Sequence, residues 1–284
     1  MSLHFTKMHG LGNDFILIDA TQHTFTPTAA QIKAWSRRDT GIGFDQCLLV
    51  ESSNNPDIDF FYRIFNADGQ EVGQCGNGAR CLARFVQRLG LTTKTQLCIQ
   101  THSTKMSLTI HADASVTVAF PPPQQAPNAI PLATQTESEW YALQLADQTY
   151  TFHAIQVGNP HAVLLVEDIT QAPVVALGQQ LSVHPFFPEQ ANIGFMHILN
   201  PDHIQLRVYE RGCGETQACG SGAIAAMAVG RLFHKLAEEV TVSLPGGELR
   251  VTWPTLSLPI RLRGPASFVY EGQILEDTPC VSSF

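Results

Sequence analysis

The chain has 284 residues, 44% of them apolar, with 17 basic against 25 acidic residues and a net charge of −8. That is enough for one large domain or two of ordinary size. No apolar run approaches the roughly 18 residues of a membrane span. The start, MSLHFTKMHG, lacks the apolar stretch of a signal peptide, and no Lys/Arg cluster offers a surface to nucleic acid. The expectation is a soluble, cytoplasmic protein that acts on a small molecule, with no membrane and no nucleic-acid partner. Seven cysteines, an odd number spread over a long chain, do not make a secreted disulfide framework. Cys47, Cys98 and Cys280 read as small buried hydrophobes.

In chain order, the first signal is Gly12-Asn13-Asp14-Phe15, a turn that leads into the apolar ILID. Ile42-Gly43-Phe44 follows. Residues 58–66, IDFFYRIFN, alternate as a half-buried strand does, and they run toward CGNGAR at 75–80. From Leu82, apolar residues at Leu82, Phe85, Val86 and Leu89 fall at i, i+3, i+4 and i+7, which predicts a helix with Gly90 as its stop. Short Val-, Thr- and Ile-rich runs over 104–120 predict more strands. Five of the eleven residues from Pro121 to Pro131 are proline, so this stretch reads as a semi-rigid linker that divides the chain.

Beyond the linker the same signals return in the same order. Gly158-Asn159-Pro160-His161 leads into AVLLVED, Ile193-Gly194-Phe195 matches Ile42-Gly43-Phe44, and the strand-like 204–210 runs toward CGSGAI at 219–224. Asn66 and Glu210 each lie nine residues before their cysteine. Matches that keep one order, at offsets of 144 to 151, predict an internal duplication. Each half then consists of strands around one principal helix. The segment 223–229, AIAAMAV, is apolar on every side, so its helix must be buried all round, as inside a curved sheet or barrel. The class is mixed α+β, with sheet predominating.

Both motifs put a cysteine at a helix start, where backbone N–H groups lack helical partners and the helix dipole is positive. Glycines at 76, 78, 220 and 222 let a carboxylate approach those N–H groups, and the same field lowers a thiol pKa from about 8.5 toward 3.5–7.5. A matched pair then has a use: one thiolate removes a proton from a carbon while the opposite thiol delivers one, which inverts a stereocentre without a cofactor. Other readings stand beside this one. A pair of purely structural glycine caps is the bland alternative. A metal site lacks the C-x₂-C or H-x₃-H spacing, and six residues of helix turn a side chain by about 240° net, so Cys75 and Cys81 point apart. No nucleotide-binding glycine pattern is present. Asn in a Gly-Asn pair serves as a turn residue, and an isolated His is often structural.

The stretches NADGQEVGQCGNGAR (66–80) and ERGCGETQACGSGA (210–223) closely resemble diaminopimelate epimerase, as do KMHGLGNDF, GIGFDQ, QVGNPHAV and ANIGFM. The resemblance covers essentially the whole chain. Gln70 departs from it, standing where Ser is usual, and Ser221 stands where Thr is also common. The resemblance implies two pseudo-symmetric domains, each a mixed β-barrel around a central helix, with the active site in the cleft between them. Their expected extents are 1–120 plus a returning tail, 265–284, and 121–264. It further implies Cys75 and Cys219 as the acid/base pair, His161 and Glu210 as tuners of the thiols, and the amides of Gly76, Asn77, Gly220 and Ser221 as the carboxylate cradle. Asn13, Gln46, Asn66, Asn159, Asn192, Glu210 and Arg211 would line the substrate. No metal and no cofactor are implied; closure over substrate and a homodimer are. The rivals are a proline or hydroxyproline racemase using the same two thiols, and a non-catalytic amino acid binder that leaves the α-hydrogen in place.

Overall fold

A computed structural model describes residues 3–23, 25–73 and 75–275. Cys280 and the part of the returning tail beyond residue 275 lie outside the described residues. Of the described chain, 3–118 and 264–275 form one compact unit and 119–263 the other.

The first unit begins with β1 (Leu3–Gly10) and β2 (Asn13–Asp19), joined by a tight turn at Leu11 and Gly12, both at positive φ. Helix α1 (Ala29–Ser36) carries the chain to β3 (Gln46–Ser52), which lies parallel to β2, and β4 (Phe60–Asn66) returns antiparallel. After the short β5 (Glu71–Val72) comes α2 (Gly76–Arg88), then β6 (Gln96–Gln100), β7 (Lys105–Ile110) and β8 (Val116–Phe120). β6 runs parallel to β4 and β7 antiparallel to β6. The last strand of the chain, β18 (Ser267–Ile274), pairs antiparallel with β1.

The second unit repeats this order. β9 (Tyr141–Leu145) pairs with β10 (Gln148–Gln156), and β11 (Pro160–Leu165), α3 (Val174–Ser182), β12 (Asn192–Asn200) and β13 (His203–Glu210) follow. Then come β14 (Gly214–Thr216), α4 (Gly220–Phe233), β15 (Glu239–Leu244), β16 (Gly247–Thr252) and β17 (Ile260–Gly264). β11 is parallel to β12, and β13 to β15, as β2 is to β3 and β4 to β6. In this correspondence β9 occupies beside β10 the place that β18 occupies beside β1.

The register corrects one of the sequence matches. Phe15 sits opposite Gln46 and His161 opposite Asn192, so the counterpart of Ile193-Gly194-Phe195 is Cys47-Leu48-Leu49. Ile42-Gly43-Phe44 lies in the loop before β3, and its likeness to 193–195 is a coincidence of composition.

Strands FILI and CLLV are continuous apolar runs because their sheet is covered on both faces. One set of side chains, Ile16, Ile18, Cys47, Leu49 and Phe65, packs under α1 through Ile32 and Trp35. The other set meets α2, which touches β1, β2, β3 and β7. α3 covers the second unit's sheet through Val174, Leu177 and Leu181, while α4 touches β10, β11, β12, β13, β15 and β16. Residues 222–230 of α4 are all buried, as the segment's uniform apolarity requires. The sheets wrap their central helices, but the expected barrels do not close: the described pairings run from β18 to β7 in one unit and from β9 to β17 in the other.

Two further expectations need correction. The helix after the first motif starts at Gly76, directly behind its cysteine as expected, but Leu89 is its C-cap with 45% exposure, so the apolar stripe stops at Val86. The proline-rich stretch is not a free linker. Gln124 exchanges backbone hydrogen bonds with Gln156, and Ile130 and Leu132 enter the second unit's core. α1 and α3 were not expected at all. Both are short, and α1 rests on a capping box between Thr28 and Gln31. No helix among the described residues is long and apolar enough to cross a membrane.

Candidate active site

Cys75 and Cys219 are the N-cap residues of α2 and α4. Each holds an extended backbone and turns its sulfur back over the first turn, where Sγ accepts the amide of the third helical residue: Gly78 at 3.3 Å and Gly222 at 3.3 Å. A cysteine here does what Ser or Asp does at an ordinary N-cap, with the difference that its acceptor atom is a nucleophilic, titratable sulfur. Gly76, Asn77, Gly220 and Ser221 open the two helices, and their amides stand outside the helical ladder.

The third-position glycines have a packing task. A Cβ on Gly222 would stand 2.8 Å from Val208 Cγ2 and 3.2 Å from Cys219 Sγ; one on Gly78 would stand 3.1 Å from Leu48 Cδ1 and 3.4 Å from Cys75 Sγ. Their missing side chains admit the strand side chain and the capping sulfur.

In the first unit, β2, β3 and the end of β4 bring the expected amides to the start of α2. Asn77 Nδ2 donates to Asn13 Oδ1 at 3.2 Å, and Gln46 Nε2 donates to Asn66 Oδ1 at 2.8 Å across a register pair. Asn13 in turn donates to Asp45 Oδ2 at 2.9 Å. A charged brace that sequence reasoning missed holds this corner. The carboxylates of Asp14 and Asp45 accept each other's backbone amides, Arg38 forks onto Asp14 and reaches Asp45, and Lys7 binds Asp14 and the Gly43 carbonyl. Burial alone would raise the Asp14 pKa, but its bonds to Arg38 and Lys7 outweigh this and bring it down to about 2. The signal was present: Asp14 follows the Gly12-Asn13 turn, and Asp45 follows Gly43-Phe44.

In the second unit, His161 is the centre of a polar cluster. It is fully buried, and its Nε2 lies 3.1 Å from Asn159 Oδ1, 3.1 Å from Ser221 Oγ and 3.4 Å from Asn192 Nδ2. Burial, with a smaller push from Arg211, lowers its pKa to about 3, so the imidazole is neutral. Asn192 Oδ1 accepts the Arg211 amide at 3.0 Å, which ties β12 to the end of β13. The exposed Arg211 side chain donates to the Glu189 carbonyl at 2.8 Å. Glu210 accepts from Thr216 Oγ1 at 2.5 Å.

Ser221 contributes more than its amide. Its hydroxyl is 3.5 Å from Cys219 Sγ and also touches His161, so the histidine reaches the thiol through a serine. The expectation of a lowered thiol pKa fails at Cys219. Burial, and after it the charge of Glu210, push this thiol well above its usual value, despite the Ser221 and Gly222 bonds. The helix field is the smaller effect there because Cys219 is buried, 3% exposed, and feels the Glu210 carboxylate. Of the cysteines outside the motifs, Cys47 is buried as expected, but Cys98 is only half-buried, on the outward side of β6 between inward Leu97 and Ile99.

Two α+β units with the same strand order define a fold class shared with known structures. A hydroxyproline epimerase from Agrobacterium vitis, with bound trans-4-hydroxy-L-proline, aligns with a TM-score of 0.69 at 13% identity, covering 98% of this chain and 94% of that one. A PhzF-family phenazine biosynthesis protein from Bacillus anthracis aligns with a TM-score of 0.67 at 17% identity, covering 97% and 99%. At these identities the likeness is one of fold. The family model for diaminopimelate epimerase matches residues 5–125 and 153–269. Diaminopimelate epimerase of Legionella pneumophila strain Philadelphia 1 is 59% identical over 276 residues, 97% of this chain and 100% of that protein; the Pseudomonas aeruginosa enzyme is 50% identical over 274 residues, 96% and 99%. The chain belongs to the diaminopimelate epimerase family, and so to the isomerases.

Proposed function

We propose that this protein interconverts LL- and meso-2,6-diaminopimelate without a cofactor, using Cys75 and Cys219 as its acid/base pair, in the supply of lysine and peptidoglycan precursors. The observation that carries the reading is the pair of cysteine N-caps at equivalent places in duplicated units of a diaminopimelate epimerase family chain.

Inversion needs a proton acceptor on one face of the α-carbon and a donor on the other. One thiolate takes the α-hydrogen: the C–H bond breaks, its electron pair spreads from the carbon into the carboxylate, and an S–H bond forms. The second thiol then gives its hydrogen to the opposite face and becomes the thiolate. The amides of Gly76, Asn77, Gly220 and Ser221, at the positive ends of two helix dipoles, meet the charge that develops on the carboxylate. Asn13, Gln46, Asn66, Asn159, Asn192, Glu210 and the Arg211 fork suit a distal head that carries both an ammonium and a carboxylate. A cyclic imino acid has no such second head. His161, neutral and bonded to Ser221, and Glu210 tune Cys219.

The proposal places the protein in the cytoplasm as a homodimer. Val269 and Tyr270 lie exposed on β18, which among the described strands pairs only with β1, and this is the kind of apolar edge a second copy covers. Light scattering that finds only monomer at working concentration removes the homodimer.

The reaction is tested by incubating the reduced protein in D₂O with diaminopimelate, proline and hydroxyproline isomers. Deuterium at an α-carbon of diaminopimelate alone is the expected result. No exchange, or exchange confined to the imino acids, overturns the reading.

A further inference from the structure

The register of the duplication makes Phe15 equivalent to His161, so Asn13 and Asn159, each two residues earlier, are equivalent too. Asn77 and Ser221 are each the second residue of their helix. In the second unit Asn159 Oδ1 lies 3.1 Å from His161 Nε2, which lies 3.1 Å from Ser221 Oγ. In the first unit Phe15 has no polar atom to offer, and Asn13 Oδ1 accepts Asn77 Nδ2 directly at 3.2 Å. Both units thus tie the Gly-Asn turn to the start of the central helix.

What holds the asparagine differs. Asp45 precedes Gln46, whereas Ala191 precedes the equivalent Asn192; Asp14 follows Asn13, whereas Pro160 follows Asn159. Asp45 Oδ2 accepts both Asn13 Nδ2 at 2.9 Å and the Asp14 amide at 3.1 Å, and its Oδ1 accepts Arg38 Nη2 at 2.8 Å. The adjacent Asp14 carboxylate has its own cations in the Arg38 fork and Lys7, so the two acids stand side by side. A carboxylate only accepts hydrogen bonds, so Asp45 decides which end of the Asn13 carboxamide is the NH₂. The oxygen must then turn toward α2, where Asn77 donates to it. After these two bonds one N–H and one oxygen lone pair of the carboxamide remain, in fixed places. Without the carboxylate a half-turn of χ2 exchanges the two ends, because that torsion is broad and nearly two-fold.

We propose that Asp45, held by Arg38, is a positioning residue that fixes the Asn13 carboxamide in the one orientation suited to the substrate's distal head. It supplies by charge the hold on the turn asparagine that His161 supplies in the second unit. This rests on the reading of Asn13 as a substrate-lining residue of the epimerase. The head's ammonium needs the carboxamide oxygen and its carboxylate needs the N–H, so an amide turned over presents each charge with the wrong partner.

Steady-state kinetics with diaminopimelate on the reduced full chain, comparing Asp45→Ala, Asn13→Ala and the double variant, test it. Alanine already occupies the equivalent place in the second unit, at Ala191. D45A should raise KM about tenfold and change kcat less than about threefold, because the distal head is bound alike in the ground and transition states. The double variant should have the KM of N13A, since a residue that acts only through Asn13 has nothing left to position. KM effects that multiply in the double variant would make Asp45 a direct substrate ligand or plain framework, and an unchanged KM in D45A would leave it a surface charge; either result overturns the proposal. The side-chain NH₂ signals of Asn13 in NMR of the isotope-labelled chain, assigned by their loss in N13A, give a reading that needs no turnover. One proton should lie downfield and exchange slowly in the parent protein, and lose both properties in D45A. A signal that D45A does not move overturns the proposal even if KM rises. A parent chain that leaves the α-hydrogens of diaminopimelate in place sinks the epimerase reading instead, while the Asn13 signal still responds to D45A, so the two failures are distinguishable.

Discussion

At the scale of single residues, the site is built from ordinary capping chemistry carried out by unusual atoms. The sulfurs of Cys75 and Cys219 are N-cap acceptors, so the environment of each thiol and the start of its helix are one structural fact. Replacing Cys75 or Cys219 by Ala should therefore cost about 10²–10⁴-fold or more in kcat, the range of a lost general acid or base, measured by coupled assay in both directions. A variant that kept the parent rate would exclude the two-thiol mechanism. Asp14→Asn makes a separate prediction. It takes the charge from the brace of Lys7 and Arg38 while leaving the strand intact, and should destabilise by about 2–3 kcal/mol in urea melts. Because the Asp14 pKa is depressed from 3.8 to about 2 in the folded state, its contribution is complete above pH 3.8 and disappears as the pH falls toward 2. The wild-type advantage over Asp14→Asn should shrink across that window.

At the scale of elements, glycine decides how closely a helix start can approach its sheet. Gly222→Ala would drive a methyl into Val208 and the Cys219 sulfur, and should cost about 1–3 kcal/mol and lower kcat more than it raises KM. Val208→Ala in the same chain should recover the stability. A Gly222→Ala enzyme with parental Tm and kcat would contradict the packing described. The buried histidines of the second unit add a pH dependence. His161 titrates at about 3 and His153, also depressed first by burial, at about 4, whereas the unfolded chain takes up their protons near 6.5. Below 6.5 the unfolded state binds more protons, so stability falls with pH. The slope should be about 1.4 kcal/mol per pH unit for each histidine down to about pH 4. Replacing His153 by Phe should flatten the slope in urea melts between pH 6.5 and 4.

At the scale of the molecule, the repeated order strand-strand-helix-strand-strand-strand-helix is completed differently in the two units. β9 flanks β10 from just upstream in sequence, whereas β18 comes to β1 from the far end of the chain. Phe5 packs edge-on against Tyr270, and its ring covers Gly272, where a Cβ would lie 2.5 Å away. Ending the chain after Gly264 should expose β1 as an edge and open the first unit, with fast amide exchange over residues 3–19 and slow exchange retained in α4. Protection of β1 in the truncated chain would show that β18 is dispensable.

Much of this could be read in the sequence. The helix buried on all sides is explicit in AIAAMAV, because a segment with no polar face has nowhere else to go. The duplicated cysteine motif named both capping sulfurs, since helix starts and glycines are local properties. The short helices α1 and α3 were not legible, because tertiary packing of a few side chains such as Ile32, Trp35 and Leu177 holds them rather than a long stripe. The equivalence of Ile42-Gly43-Phe44 with Ile193-Gly194-Phe195 misled because three similar residues do not encode strand register.

By itself, the sequence determined the duplication, the two thiols and the residue types around them, since these depend on local order and chemistry. Only the tertiary structure decided which groups surround each thiol. Burial and Glu210 raise Cys219 against its helix dipole, and His161 reaches it through Ser221. The physical reason is that desolvation and charge proximity depend on distances between residues far apart in the chain, which a motif of six residues does not contain.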